Sequence, residues 1–237
     1  MQGKEISLSL IDKSKIVILM TAYNEEKVVG AVIDGLLNRG YENIVIVDDG
    51  STDKTYEIVK KYPVFLLRHI VNRGKGASLQ TGTEFILSKG FPVIVHFDAD
   101  GQHNPDDIEK LVEPIFIENV DVVLGSRFLG SVKNLPITRK IVLKMGIVFS
   151  NLLYGIKLTD VHNGLRAFKS YVFEKIYFTE DRFAYASELI EKIVKFGFRY
   201  KEVPVNITYS EYSIKKGQKN INAINIFFKM IRRRFFA

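Results

Sequence analysis

The chain has 237 residues, 46% of them hydrophobic and 26% charged, with a net charge of +7 and no cysteine. At roughly 150 residues per domain this is one large domain with an appendage, or two small ones, of ordinary globular composition, which excludes fibrous, collagen-like and wholly disordered chains. Without cysteine there is neither a disulfide framework nor a thiolate metal site. The cationic excess suits anionic partners such as phosphates or acidic lipids and does not by itself signal nucleic acid.

The N-terminal stretch MQGKEISLSLIDKSK lacks the apolar core of a secretion signal, so the chain is expected to stay cytoplasmic. Ile16 to Met20 and Ile44 to Val47 are short runs rich in β-branched residues and read as buried strands. Between them, residues 25–39 carry Val28, Val29, Val32, Ile33, Leu36 and Leu37 at helical spacing. Further strands are expected over 64–67, 93–97 and 120–124, and helices over 54–61, 77–89 and 105–118. This repeated βαβ pattern predicts a mostly parallel sheet covered on both faces, with ligands at the carboxyl ends of its strands. After Gly125 the alternation weakens: a helix is expected over 138–154, an irregular segment over 159–166, a helix over 187–196 and an extended run over 200–209. The uncharged stretch from Met145 to Ile156 is too short to span a bilayer.

The segment VHFDADGQH, 95–103, carries the strongest chemical signal. Side chains two apart in an extended chain point the same way, so Asp98 and Asp100 face one ligand. Two carboxylates on one face repel unless a cation or proton lies between them. Mg²⁺ or Mn²⁺, completed by phosphate oxygens and by Gln102, suits such oxygen ligands. The alternative is that both aspartates serve a turn and cap before Pro105. The segment DDGSTDKT, 48–55, follows the second strand; Asp49 is favoured over Asp48 as an acceptor for a ribose or base, with Ser51 or Asp53 capping the next helix. In TAYNEE, 21–26, Tyr23 offers a stacking ring and Glu25 an acceptor, while Asn24 serves equally well as a helix cap. NRGKGASL, 72–79, puts Arg73 and Lys75 among glycines ahead of a helix, a phosphate-facing arrangement. It fits neither the dinucleotide fingerprint nor the P-loop, which removes the main support for a dehydrogenase or a P-loop NTPase.

Three of these motifs fall at carboxyl ends of expected parallel strands. Together with GSR at 125–127 and DVHNGLRAF at 160–168, their order resembles the family 2 glycosyltransferases of the GT-A fold, especially the polyprenyl-phosphate sugar transferases. The resemblance runs from about Lys15 to Asn220. It implies an inverting, metal-dependent transfer of a sugar from a nucleoside-diphosphate sugar to a polyprenyl phosphate. It further implies that Tyr23, Glu25, Asp49, Lys75 and Asp98 hold the nucleotide, that Asp98, Asp100 and Gln102 hold Mg²⁺ or Mn²⁺ and the diphosphate, and that Arg127 and Arg139 meet the acceptor phosphate. The chain departs from the family in having Ala22 and Asn163 where Pro and Ser or Thr are common, and KKGQKN at 215–220, which leaves a diphosphate role for Lys215, Lys216 and Lys219 open.

A lipid phosphate arrives ionised and needs positioning, whereas a saccharide hydroxyl, the alternative acceptor, needs a general base. Asp160, His162 and Glu188 are candidate bases; helical periodicity puts Glu188 on a different face from Leu189 and Ile193, where exposure is the common outcome. A non-catalytic nucleotide-sugar-binding subunit is the remaining reading. The expected organisation is a catalytic domain over 1–210 and a basic amphipathic extension over 211–237. From Ser213 to Ala237 there are seven Lys or Arg and no acid, with Ile224, Phe227, Phe228, Ile231 and Phe235 on one helical face. Such a helix suits an anionic membrane surface, a membrane partner protein or the core, and predicts a peripheral protein on the cytoplasmic face. No nucleic-acid partner is expected.

Overall fold

The computed structural model describes residues 11–182 and 184–216. The order of elements is β1 (Ile16–Ala22), α1 (Val29–Leu37), β2 (Ile44–Asp48), α2 (Thr55–Val59), β3 (Phe65–Arg68), α3 (Lys75–Lys89), β4 (Val93–Asp98), α4 (Asp107–Ile117), β5 (Val122–Lys133), α5 (Ile137–Tyr154), β6 (Arg166–Lys169), α6 (Tyr185–Lys195), β7 (Tyr200–Thr208) and α7 (Glu211–Lys216). The sheet runs β3-β2-β1-β4-β6-β5-β7. All its pairings are parallel except those of β6, which lies antiparallel between β4 and β5. Helices cover both faces, as the GT-A fold requires.

The apolar runs explain the layering. Successive β1 residues point to opposite faces: Ile16, Ile18 and Met20 pack in one core with Val29, Ile33 and Leu36 of α1 and Ile108 and Leu111 of α4. Val17 and Leu19 pack in the other with Leu79 and Ile86 of α3 and Leu189, Ile190 and Ile193 of α6. A central strand buried on both faces has no polar position to spare, which is why it reads as an unbroken apolar run.

The expected strands and helices through residue 124 are present with boundaries moved by a few residues. The first helix begins at Val29, four residues later than the periodicity suggests, because the preceding turn is tied to the loop after β2. Asn24 has φ +56, and the backbone N–H groups of Asn24, Glu25 and Glu26 donate to Ser51 Oγ, Thr55 Oγ1 and Asp53 Oδ2. In the second half, Arg166 begins a strand rather than ending an irregular segment, and β5 runs to Lys133 by pairing with β7 across an irregularity between Ser126 and Ser131. These second-half elements complete the same sheet. The basic amphipathic helix expected toward the C-terminus, including Lys219, falls on 217–237 and lies outside the described residues, as does the Lys215 side chain.

Chain reversal occurs at β1, with β2 to one side and β4 to the other, and the register sets Ala22 beside Asp48 and Thr21 beside Asp98. In an open α/β sheet, such a switch point opens a crevice at the carboxyl ends of the strands.

Candidate active site

A cleft of about 1410 Å³ opens at that point and is lined by Tyr23, Glu25, Asp49, Lys75, Asp98, Asp100, Gln102, Arg127 and Arg139. The ends of β1, β2 and β4, the irregular middle of β5 and the starts of α3 and α5 thus bring the nine candidate residues to one wall system. Its volume exceeds the roughly 300–1,000 Å³ of a site for a single small ligand.

The acidic pair has an asymmetric environment. Lys75 Nζ lies 2.5 Å from Asp98 Oδ1 and His103 Nε2 lies 3.3 Å from Asp98 Oδ2. Burial alone would raise the Asp98 pKa, but Lys75 and His103 outweigh it and hold the carboxyl well below the usual range. The same contact raises Lys75 despite its burial. Asp100 is raised instead, by burial and by the charge of Asp98; its partner is Gln102, whose side-chain amide and backbone N–H donate to it at 2.6 and 3.0 Å. The loop at Gly164 presses against Asp98: a Cβ there would lie 2.4 Å from Asp98 Oδ2, so only glycine allows the approach.

Whether these residues fit a divalent cation follows from this charge balance. One lysine offsets one of two adjacent carboxylates, leaving Asp100 with an excess of negative charge that its raised pKa registers. The donors are carboxylate and amide oxygens, as Mg²⁺ or Mn²⁺ prefers. Among the described residues no three His, Cys, Asp or Glu side chains cluster as a self-sufficient metal site. A cation held here needs oxygens from a ligand such as a diphosphate, and on those terms the residues fit.

On the nucleotide side, Asp49 is buried and fully engaged. It accepts from the Arg73 and Gly74 backbone N–H groups at 2.9 and 2.7 Å, and its Oδ1 lies 2.7 Å from His69 Nδ1, whose other nitrogen meets Thr81 Oγ1. Asp49 therefore fixes the turn before α3 as well as lining the cleft. Asp48 is wholly buried beside Arg68. Gly50, at φ +70, lets the turn between them pass Val71, where a Cβ would come within 2.7 Å of the backbone. Glu25 is bound by Lys216 Nζ at 2.6 Å and by the Tyr212 hydroxyl at 3.0 Å; burial raises its pKa against these two partners. Lys216 also donates to the Tyr23 and Asn24 carbonyl oxygens, so α7 is pinned across the first motif.

Arg127 is buried, donating through Nε to Asp160 Oδ2 at 2.6 Å and through Nη1 to the Tyr209 hydroxyl at 2.5 Å. Arg139, one turn into α5, lies 5.3 Å from the Tyr209 ring and has no ion pair among the described residues. Of the candidate bases, Asp160 is spent on Arg127 and does not line the cleft. His162 lines it, with a pKa that burial pushes down to about 4, so it is neutral near pH 7. Glu188 is not on an exposed face, contrary to the periodicity argument. It is buried, accepts from the Thr179 and Glu180 backbone N–H groups and the Thr179 hydroxyl, and pairs with Lys192. Its helix begins beneath the 179–182 segment, which turns that face inward.

Sequence reasoning missed His69, His103, Tyr209 and Tyr212. Only His103 carried a signal, as a further residue of the FDADGQH run; the others come from distant segments.

The model of the family described as Glycosyl transferase family 2 matches residues 17–177. A Methanocaldococcus jannaschii protein of uncharacterised activity is 41% identical over 100% of this chain and 99% of its own length. The UDP-N-acetylglucosamine–dolichyl-phosphate N-acetylglucosaminyltransferase of Methanococcus voltae is 34% identical over 91% of this chain and 94% of its own. The polyprenol monophosphomannose synthase of Mycolicibacterium smegmatis is 27% identical over 84% and 79%. Among solved structures, glucosyl-3-phosphoglycerate synthase of Mycobacterium tuberculosis, crystallised with Mn²⁺, UDP and glucosyl-3-phosphoglycerate, matches with a TM-score of 0.73 over 97% of this chain and 82% of that one; at 15% identity this likeness carries the fold alone. With the family model covering more than half of its length, and relatives similar from end to end, the chain belongs to glycosyl transferase family 2 and is a glycosyltransferase.

Proposed function

We propose that the chain transfers a sugar from a nucleoside-diphosphate donor to a polyprenyl phosphate, with inversion at the anomeric carbon and with Mg²⁺ or Mn²⁺, as a peripheral protein at the cytoplasmic face of a membrane. The observation that carries this reading is the composition of the cleft. Its acidic end, Asp98 and Asp100, is continuous with Arg139 and with the apolar inner face of α5, through Val142, Leu143 and Phe149. An acceptor suited to both walls is anionic at one end and hydrocarbon beyond it.

In this reading Tyr23, Glu25 and Asp49 border the nucleoside, and Asp98, Asp100 and Gln102 hold the metal against the diphosphate. The bound cation supplies charge stabilisation of the departing diphosphate. Lys75, already on Asp98, adds a second positive charge where the leaving group becomes more negative, so it favours the transition state over the ground state. Arg139, with Arg127 behind it, orients the acceptor phosphate opposite the leaving group, the geometry that inversion needs. A phosphate monoester has a second pKa of about 6 and attacks without prior deprotonation. That accords with Asp160 and Glu188 being committed to other partners.

The test is an assay of labelled nucleoside-diphosphate sugars with a polyprenyl phosphate and Mn²⁺, with the anomeric configuration of the product read by NMR. Lipid-linked product is expected, and Asp100→Ala should abolish transfer and weaken metal-dependent nucleotide binding. Undiminished turnover in that variant, or transfer confined to a saccharide hydroxyl, would overturn the proposal.

A further inference from the structure

Arg166 is the largest fully buried side chain among the described residues, at 1% exposure. It starts β6, in register with His96 of β4 and Leu124 of β5. Alternation along β6 puts it on the same sheet face as Phe168, the face that α3 and α6 cover. Its Nη2 donates to the Val161 carbonyl oxygen at 2.9 Å, whereas Nε and Nη1 have no hydrogen-bond partner among the described residues.

An arginine does not shed its proton in a protein, so a guanidinium buried in this way costs stability. Nothing beside it is free to offset the charge. Asp160 and Asp98 are the carboxylates whose field reaches it, and they are already held by Arg127 and Lys75. His96 is neutral, because burial pushes its pKa down to about 3. A packed apolar side chain of similar volume would be at least as stable in this place. The charge that matches Arg166 therefore comes from a ligand.

One aromatic ring stands between Arg166 and the site. The Tyr185 ring centroid lies 5.7 Å from the Arg166 guanidinium carbon and 5.8 Å from Lys75 Nζ. Tyr185 lines the cleft together with Lys75, Asp98 and Gly164, and Arg166 does not reach it. We infer that Arg166 is a positioning residue: a fixed positive charge behind Tyr185 that steadies the donor's diphosphate and favours its more negative departing form without touching either. The inference rests on the donor half of the proposed function and is independent of the acceptor. A charge fixed by packing needs no reorganisation as the bond to the sugar breaks. Across roughly 10 Å, at an effective dielectric constant of about 20, one further negative charge on the diphosphate is worth about tenfold in affinity or rate.

Arg166→Met removes the charge and keeps an unbranched apolar side chain; Arg166→Lys keeps the charge. For each full-length variant, calorimetric titration with Mn²⁺ compares UDP with a UDP-sugar and GDP with a GDP-sugar. Arg166→Met is expected to melt at or above the wild-type temperature. It should lower the ratio of diphosphate affinity to sugar-diphosphate affinity about tenfold, and kcat by a similar factor, while Arg166→Lys returns both to within about threefold of the wild type. A guanidinium kept only for packing would do the reverse, lowering the melting temperature and leaving the ratio in place.

An unmoved ratio in Arg166→Met, a ratio as low in Arg166→Lys as in Arg166→Met, or an Arg166→Met protein that fails to fold or melts more than about 2 °C below the wild type would overturn the inference. If the wild type binds neither nucleotide, the donor reading and this inference fall together. If it binds one of them and passes its sugar to no prenyl phosphate, only the acceptor reading fails and the affinity ratio still decides the role of Arg166.

Discussion

The buried pair of Arg127 and Asp160 gives a sharp test of how the acceptor side is built. Asp160→Asn keeps the shape of the side chain but removes the charge that faces the Arg127 guanidinium at 2.6 Å, in a place where the two side chains are 0% and 7% exposed. Leaving one member of a buried ion pair uncompensated costs about 3–5 kcal/mol, and the retained amide oxygen puts Asn at the lower end. For a chain of this size, about 3 kcal/mol corresponds to a melting temperature lower by roughly 6–12 °C. Thermal melting and urea unfolding of the wild type, Asp160→Asn, Arg127→Met and the double variant measure this. The double variant should be less destabilised than the sum of the single ones, because its second substitution removes a charge that the first has stranded. The Asp160→Asn variant should also show a higher KM for the acceptor with little change for the donor, since Arg127 loses the fork that aims it. Melting within about 2 °C of the wild type would refute the claim that this pair organises the site.

Three further outcomes follow from the same geometry. Glu188→Gln should destabilise by about 1–3 kcal/mol in urea unfolding, because the carboxylate holds the Thr179 and Glu180 N–H groups, and should lower kcat by no more than about tenfold, through the loop that abuts the Lys75 helix; a loss of 10²-fold or more would instead make Glu188 a base. Arg139→Met should raise the acceptor KM about tenfold or more and leave the donor KM in place, as steady-state kinetics with each substrate varied would show. His96 is buried among Phe168, Phe173 and Phe178 with neither ring nitrogen bonded, and burial pushes its pKa from 6.5 down to about 3. A depressed folded-state pKa means that the unfolded chain binds the proton first, so its contribution to stability is whole above about pH 6.5 and is lost as pH falls toward 3. Between pH 7 and 5 this amounts to about 2 kcal/mol. His96→Phe should remove that part of the acid sensitivity, and an unchanged pH dependence of the urea midpoint would contradict it.

How far the fold could be read from the sequence depended on where each element gets its stability. The strands Ile16–Ala22, Ile44–Asp48 and Val93–Asp98 are buried on both faces, so each is an unbroken apolar run that the local pattern reports directly. β6 has four residues, and its Arg166 points into the interior with its guanidinium 5.7 Å from the Tyr185 ring. Nothing within so short a segment marks a strand; it forms because β4 and β5 offer two open edges. The far end of β5 likewise depends on β7, which lies more than 70 residues away.

The candidate site divides along the same line. Asp98, Asp100 and Gln102 were legible because a strand end alternates, and alternation is local. The partners that decide how these residues behave are not local: Lys75 comes from the start of α3, and His103 bridges to Ile207 of β7. Glu188 shows why periodicity misleads at such places. A glutamate opposite the apolar stripe of a helix is exposed only if no loop crosses that side, and here residues 179–180 cross it and take up the carboxylate. That loop in turn carries Asp181, whose carbonyl oxygen accepts from the Gly76 and Ala77 N–H groups at the first turn of the Lys75 helix. The position of Lys75 on Asp98 is therefore set partly by Glu188, a dependence carried by tertiary contacts between segments more than 100 residues apart.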